Sequence, residues 1–442
     1  MMQIPSGAAW ILDRLNGAGY RAYVVGGCVR DALLGLPPKD WDVCTSARPE
    51  EMLAVFHDCH VVETGLRHGT LTVVLDHVPY EVTTFRVDGA YSDHRHPDGV
   101  TFVADVRSDL ARRDFTVNAM AYHPEEGLVD AFGGREDLRQ GVIRCVGDPS
   151  KRFGEDALRI LRALRFAATY GFAVDAATAA AAHRLKGTLA RVAAERIHVE
   201  LVKLLCGKAC GQVLRTFADV IAQVLPEVAP MFSFDQRNPH HRYDVWEHTV
   251  RAVEGVPPTE TLRLAMLLHD AGKPAAFSVD EQGVGHAYGH GEVSRALAES
   301  ALSRLRVDHV TAGRVITLVA HHDIPLSTEA KVLKRRLNQF GEEALRQLIT
   351  MQRADNLAKG TLSAAEVDAW ADNLTRALDE LLASAPCITL RNLAVNGRDL
   401  TALGLTGKAV GSCLNALLDA VLEERLPNER EALLAAAKIS GC

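Results

Sequence analysis

The chain has 442 residues, 48% of them hydrophobic, enough to bury two or more cores and, by length alone, about three domains. Lysine and arginine number 49 against 56 aspartates and glutamates, and the net charge of −7 excludes a surface coated in positive charge, leaving nucleic-acid contacts to local patches. No run approaches the ~18 apolar residues of a membrane span, GAAWILDRL lacks the basic start of a signal peptide, and nine cysteines without a CxxC pair point to a reduced cytoplasm.

The first informative stretch runs from Val24 to Cys44, VVGGCVRDALLGLPPKDWDVC. Gly26 and Gly27 let the backbone approach a triphosphate, and Arg30 offers it a forked cation. The pattern predicts a strand, a glycine turn, a helix VRDALLGL ending near Pro37-Pro38, and a second strand with Asp40 and Asp42 on one face. Two adjacent hard oxygen ligands suit a Mg²⁺ pair that clamps the attacking and leaving oxygens of phosphoryl transfer. A diglycine or a DxD pair alone is as compatible with a turn or a solvated strand face, but their order and spacing bring cradle and carboxylates together. The arrangement resembles the head of the nucleotidyltransferase superfamily that includes DNA polymerase beta.

Farther along, YEVTTFR alternates as a strand and offers Glu81 as a third carboxylate, able to orient or deprotonate an incoming hydroxyl. Asp88 to Gly99 reads as a polar, mobile loop. DLARRDFTVNAMAY reads as a helix start in which Arg112, Arg113 and Asp114 precede an apolar face. Arg113 could reach a phosphate or pair with Asp109 or Asp114. Residues 152–172, RFGEDALRILRALRFAATYGF, read as one helix with Asp156, Arg159, Arg162 and Arg165 at i+3 steps beside an apolar stripe of Leu158, Leu161 and Leu164. Such a stripe can be an ordinary solvated face. A carboxylate acceptor beside a guanidinium donor would also accept cytosine and adenine, which present an exocyclic amine beside an unprotonated ring nitrogen, and oppose guanine and uracil.

The ordered set GGCVRD, KDWDVCTSA, YEVTTFR, DLARRDFTVNAMAY, FGGREDL, RFGEDALRILRALRFA and AAERIHVEL, followed by LAVNGRDL, GLTGKAVG and LPNERE, resembles the bacterial CCA-adding enzymes, the class II tRNA nucleotidyltransferases. The resemblance implies an α+β chain: a polymerase-beta-like head with a mixed β-sheet, then an all-helical neck, body and tail. By the same resemblance Asp40 and Asp42 bind Mg²⁺, with Glu81 as accessory carboxylate. Gly27, Arg30 and Arg113 hold the nucleotide's phosphates and ribose; Asp156 and Arg159 read its base, with Arg162 and Arg165 nearby. The implied partners are the tRNA 3′ end, CTP and ATP, with no membrane and an oligomeric state left open. A-adding enzymes and poly(A) polymerases share the branch. Retention of DGAYSDHRHPDGV, where CC-only members are shortened, favours full CCA or A addition, and the absence of a long basic extension after LPNERE is unlike poly(A) polymerases.

A second constellation lies in the body: His248, His269-Asp270 in LLHDAGK, His286 and His290, His321-His322, and Asp355. Imidazoles and carboxylates on successive apolar helices can converge on a divalent metal. Their order resembles the HD phosphohydrolases, which implies His248, His269, Asp270 and Asp355 as ligands, His290 or His321 as additional ones, Lys273 as a phosphate contact, and hydrolysis of phosphate esters such as damaged RNA termini. The metal's identity is left open among Mg, Mn, Ni and Co. A phosphohydrolase whose head merely binds nucleotide is the competing class. Punctuation by Gly, Asp and Pro suggests a head over 1–146, a neck over 147–215, a body over 216–380 and a tail over 381–442, and Lys331, Lys334, Arg335 and Arg336 form a basic run that suits either RNA phosphates or water.

Overall fold

Apolar residues one helical turn apart, Ala8, Ile11, Leu12 and Leu15, are the buried face of the first helix, Ser6–Gly17, which packs on the strand that follows it. The computed structural model describes residues 2–89, 91, 99–384 and 387–439. It divides into two compact units, Met1–Pro226 and Glu227–Cys442. Most of the polar loop expected from Asp88 to Gly99, residues 90 and 92–98, lies outside the described residues.

The first unit opens with nine strands: β1 (Ala22–Val25), β2 (Val43–Thr45), β3 (His60–Val62), β4 (Thr70–Leu75), β5 (Val78–Thr84), β6 (Arg86–Asp88), β7 (Val100–Phe102), β8 (Met120–His123) and β9 (Gly127–Asp130). Seven of them form one sheet in the order β3-β4-β5-β2-β1-β8-β9. It is mixed: β2 and β5 run parallel and the other neighbours antiparallel. All four residues of β1, Ala22, Tyr23, Val24 and Val25, are buried, as an uninterrupted apolar run at the centre of a sheet requires. The helical remainder matches the α+β class expected from the sequence.

Three local expectations are corrected. Asp40 and Asp42 are not within a strand: β2 begins only at Val43, after Pro37 and Pro38 have removed two ladder donors, although the Asp42 carbonyl still accepts from Val25 N–H at 3.0 Å. The ARRD segment ends a helix instead of starting one. Val106–Ala111 is helical, Thr116–Asn118 make one 3₁₀ turn, and the apolar residues beyond pair with β1 as β8. The stretch 152–172 is two helices, Pro149–Glu155 and Leu158–Tyr170, separated at Asp156 with φ −143° and ψ 108°. There the Asp156 side chain accepts from Leu158 N–H at 3.0 Å, competing with the helical backbone as short acidic side chains do.

An ion pair with a buried carboxylate ties the segment before β8 to the second of these helices. Asp114 Oδ2 accepts from Arg162 Nε at 2.9 Å and Nη2 at 2.6 Å, while Oδ1 accepts from Phe115 N–H at 2.8 Å and Asn118 Nδ2 at 3.1 Å. Next to it, the Phe115 and Phe166 rings meet edge to face at 5.7 Å.

The second unit is built mainly of helices. Those that matter here are Val245–Gly255, Glu260–Leu268, His290–Arg304, His309–Ala320 and Ala330–Lys359, the last with a non-helical Gly341 at φ 76°. Toward the C-terminus, Leu400, Cys413, Leu417, Leu418 and Leu433 form a separate small core. No helix among the described residues is long and apolar enough to cross a membrane.

Burial alone would raise the Asp114 carboxyl, but Arg162 and Asn118 outweigh it and hold the group at about 2. A carboxyl depressed by folding stabilises the native state above its unfolded value, and that contribution is lost as pH falls through the folded one. Asp114→Asn is therefore expected to cost roughly 2 kcal/mol near neutral pH, from the depression to about 2. The deficit should shrink between about pH 4 and 2, as read by urea denaturation of both proteins across that range.

Candidate active site and a metal-binding cluster

The chain turns sharply out of β1 at Gly26, with φ 82° and ψ −124°, a conformation that L side chains rarely adopt. The positive φ favours glycine there, and a Cβ would stand 2.8 Å from Arg113 Nη1, which reaches the turn. Arg113 is also held by Asp109 at 3.4 Å, one of the two partners anticipated for it. Arg30 follows on the short helix Gly27–Leu33, nearly buried, donating from Nη1 to Asn118 Oδ1 at 2.5 Å and from Nε to Asp31 Oδ1 at 2.9 Å. Its guanidinium lies against Phe166 and Tyr170, 5.0 and 4.9 Å from their centroids. Its free edge faces the turn: Nη2 is 3.6 Å from where a Gly27 Cβ would be.

The acidic residues converge beside this turn. Val43 of β2 is registered with Val82 of the parallel β5, which sets Asp42 next to Glu81. The Asp42 carboxyl is pushed up to about 6, first by burial and then by the negative charges of Asp40 and Glu81, with Arg113 pulling the other way. Asp40 and Glu81 are exposed and Asp42 is half-buried. All oxygen, partly open and mutually repulsive, this set has the chemistry of a hard-cation site.

On the helices Pro149–Glu155 and Leu158–Tyr170 the predicted stripe separates. Asp156 is gripped by Arg196, Nη2 to Oδ2 at 2.7 Å, while Arg159 donates to Glu155 at 2.6 Å and to the Arg152 carbonyl at 3.2 Å. Arg162 is committed to Asp114, and Arg165 to Glu200 at 2.6 Å with its guanidinium 3.8 Å from the centroid of Phe166. Arg196, Glu155, Asn118 and Glu200 were assigned no role from sequence. Arg196 and Glu200 lie in the AAERIHVEL segment one helical turn apart, and Glu200, buried on the otherwise apolar face Ile197, Leu201, Leu204, Leu205, was the available signal.

In the second unit the histidines converge as expected, with one exchange. The ligand atoms of His248, His269, Asp270 and Asp355 all lie within 4.8 Å of one another, and so do those of Asp270, His290 and His322. His321, anticipated as an additional ligand, instead packs on Phe340 at 4.9 Å, because the helix ends at Ala320 and the two following residues turn apart. His286 stands aside as well, bonded to Asp280 at 2.8 Å. His248 Nε2 is 2.9 Å from Asp355 Oδ1 and 3.2 Å from Asp270 Oδ2, and His269 Nε2 is 3.2 Å from the same Oδ2. The Nε2 atoms of His248 and His269 are nevertheless buried out of hydrogen-bond alignment with any partner. Burial disfavours a charged His269, but Asp270 and Asp355 outweigh it and raise that imidazole to about 9. Asp270, Asp355, His290 and His322 line a cavity of about 310 Å³ whose wall also includes Lys273 and Lys359. Lys273 contacts Asp270 Oδ2 at 2.7 Å and Gln236 Oε1 at 3.0 Å, and Lys359 contacts Asp355 Oδ2 at 2.8 Å.

Comparison with known proteins sets this geometry in a family. Residues 22–144 match the "Poly A polymerase head domain", residues 171–232 the "Probable RNA and SrmB- binding site of polymerase A", and residues 290–437 tRNA nucleotidyltransferase domain 2. The CCA-adding enzyme of Latilactobacillus sakei subsp. sakei is 36% identical over 431 residues, 97% of this chain and 96% of that enzyme. That of Leuconostoc mesenteroides subsp. mesenteroides is 50% identical over 218 residues, 49% of this chain and 54% of the relative, so this match spans about half of each. Among solved structures, the Bacillus stearothermophilus CCA-adding enzyme in complex with CTP superposes with a TM-score of 0.76 at 32% identity, covering 100% of this chain and 98% of that one. The chain belongs to the CCA-adding enzymes, a family of tRNA nucleotidyltransferases.

Proposed function

We propose that the head extends the 3′ end of tRNA with C, C and A from CTP and ATP, using Asp40 and Asp42 as the metal-binding pair. The observation that carries this reading is the Asp42 carboxyl, raised to about 6 by burial and by Asp40 and Glu81 beside a glycine turn that Arg113 reaches. Three crowded carboxylates are poorly stabilised by the protein alone, and a divalent cation fits them. Mg²⁺ held by Asp40 and Asp42 would supply Lewis acidity at the reacting phosphate. The backbone at Gly26 and Gly27 lets the triphosphate approach, Arg113 and the free edge of Arg30 bind it, and Glu81 orients the hydroxyl of the RNA end. Asp156 and Arg159 read the base, with Arg196 fixing the Asp156 carboxylate. Arg162 and Arg165 act through Asp114 and Glu200 as positioning residues.

The body supports a second reading, a phosphohydrolase centre at His248, His269, Asp270 and Asp355, favoured by ligand atoms that all lie within 4.8 Å of one another, the buried Nε2 atoms of His248 and His269 among them without a hydrogen-bond partner. A divalent cation there would supply Lewis acidity toward a phosphate ester, and Lys273 and Lys359 offer the ester's oxygens two ammonium groups.

Asp42→Ala should abolish nucleotide addition to a tRNA lacking its terminal nucleotides and leave the thermal midpoint at or above that of the parent, since it removes a crowded charge. Addition surviving in that variant would refute the metal-pair assignment. For base selection, Asp156→Ala or Arg159→Ala should relax the preference for CTP and ATP over UTP and GTP by roughly tenfold to a hundredfold, the worth of one bidentate base contact. Competition assays with the four nucleotides read this directly, and unchanged selectivity would rule the pairing out. The body is tested by His269→Ala, expected to lose Mn²⁺- or Ni²⁺-dependent hydrolysis of p-nitrophenyl phosphate while CCA addition persists. Equal hydrolysis by variant and parent would dismiss the second reading.

A further inference from the structure

We infer that Tyr170 is a positioning residue for the triphosphate site: its hydroxyl, acting through Asp31, fixes the guanidinium of Arg30 so that one edge is left for the nucleotide. The inference rests on the assignment of Arg30 to the triphosphate made above and adds the group that aims it. No role was assigned to Tyr170 from sequence. It is the last residue of the helix Leu158–Tyr170.

A guanidinium is a planar fork of five donors on a long, rotatable stem, so its direction has to be imposed by its surroundings. Arg30 is pinned at two of its three nitrogens. Nη1 donates to Asn118 Oδ1 and Nε to Asp31 Oδ1, which leaves Nη2 turned toward Gly27. The pin at Nε is the one the local fold does not supply. Arg30 and Asp31 are consecutive on the helix Gly27–Leu33, and consecutive side chains on a helix do not face each other. Asp31 must therefore be drawn sideways to meet its neighbour. The Tyr170 hydroxyl does this, donating to the same Oδ1 at 2.8 Å. Among the described residues, Arg30 and Tyr170 are the side chains that hydrogen-bond the Asp31 carboxylate, which is 17% exposed.

The ring that carries this hydroxyl is itself held. Phe166, one helical turn earlier, stacks on it at 6.1 Å and 15°, and Phe172 packs against it at 5.6 Å. The Arg30 guanidinium lies near both Phe166 and Tyr170, so the rings also limit its rotation. Burial is the main influence on the phenol and pushes it up to about 12, with Arg30 pulling it down and the bond to Asp31 adding to the rise. The hydroxyl thus stays protonated at neutral pH, and a proton is what the carboxylate needs from it. The other pin leads to the same helix: Asn118 is bonded to Asp114, and Asp114 to Arg162. One helix therefore fixes Arg30 at both Nη1 and Nε, and pre-set direction is worth affinity because it spares the nucleotide the cost of ordering the side chain.

The test measures kcat and KM for CTP with a tRNA lacking CCA, and for ATP with a tRNA ending in CC, in the parent, Tyr170→Phe, Arg30→Lys and the double variant. Phenylalanine keeps the ring and removes the donor alone. Tyr170→Phe should raise KM for both nucleotides alike by about fivefold, the worth of a hydrogen bond to a charged group partly replaced by water, and keep kcat within about twofold. Arg30→Lys should raise KM by about tenfold, and Tyr170→Phe should then add less than about twofold, because lysine has no fork for Asp31 to aim. An unchanged KM in Tyr170→Phe beside a raised one in Arg30→Lys would overturn the role of Tyr170 and leave that of Arg30 standing. An unchanged KM in Arg30→Lys would overturn both. Multiplying effects in the double variant, or a fall in kcat together with the thermal midpoint in Tyr170→Phe, would mark the hydroxyl as a packing group and overturn the inference as well.

Discussion

The hydrogen bonds at the end of β1 decide where the head's chemistry can occur. Val25 N–H donates to the Asp42 carbonyl and Gly26 N–H to the Met120 carbonyl, both at 3.0 Å, so the glycine turn leaves the sheet between the acidic segment and the strand that follows the ARRD sequence. From that register everything else follows. Asp42 falls beside Glu81 through the parallel β2–β5 pairing, Arg113 is delivered to the turn, and Asn118 reaches Arg30. Asp114 and Asn118 then carry the constraint outward to Arg162, coupling the sheet to the helix that bears Arg159. Arg30, Asn118, Asp114 and Arg162 thus form one continuous polar network, buried enough for its members to depend on one another.

Much of this was legible in the sequence, and the unread parts share a cause. The strand that carries Glu81 could be read because alternation along YEVTTFR reports its two faces, whereas the same reading placed Asp40 and Asp42 in a strand that begins only at Val43. The glycine turn could be found because positive φ admits few other residues. Partner choice among charged residues could not. Arg159 and Asp156 are three apart, as an (i, i+3) pair on one helix would be, yet Asp156 sits in a helix break with Arg196 as its partner and Arg159 takes Glu155. Periodicity assumes a continuous helix, and one aspartate capping the next segment is enough to defeat it. His321 and His322 pose the same problem at a helix end, where the last residues leave the helical period and only tertiary packing decides which ring turns inward.

The two candidate centres are built on opposite principles. In the head, oxygen ligands are partly exposed and repel one another, which suits a cation that arrives and leaves with a nucleotide. In the body, imidazoles are buried, several are locked by backbone carbonyls, and the carboxylates are flanked by lysines, which suits a resident ion of softer character. Each lies wholly within one compact unit, so loss of either can be measured without assuming anything about the other.

The central claim concerns the head, and one experiment addresses it most directly. Purified protein with Mg²⁺ is incubated with a tRNA lacking its 3′ CCA, given CTP, ATP, or both, and the products are sequenced. The account predicts two cytidines with CTP alone and a single terminal adenosine once ATP joins, with no further extension. An unlimited adenosine tail, or no addition under any combination, would contradict it.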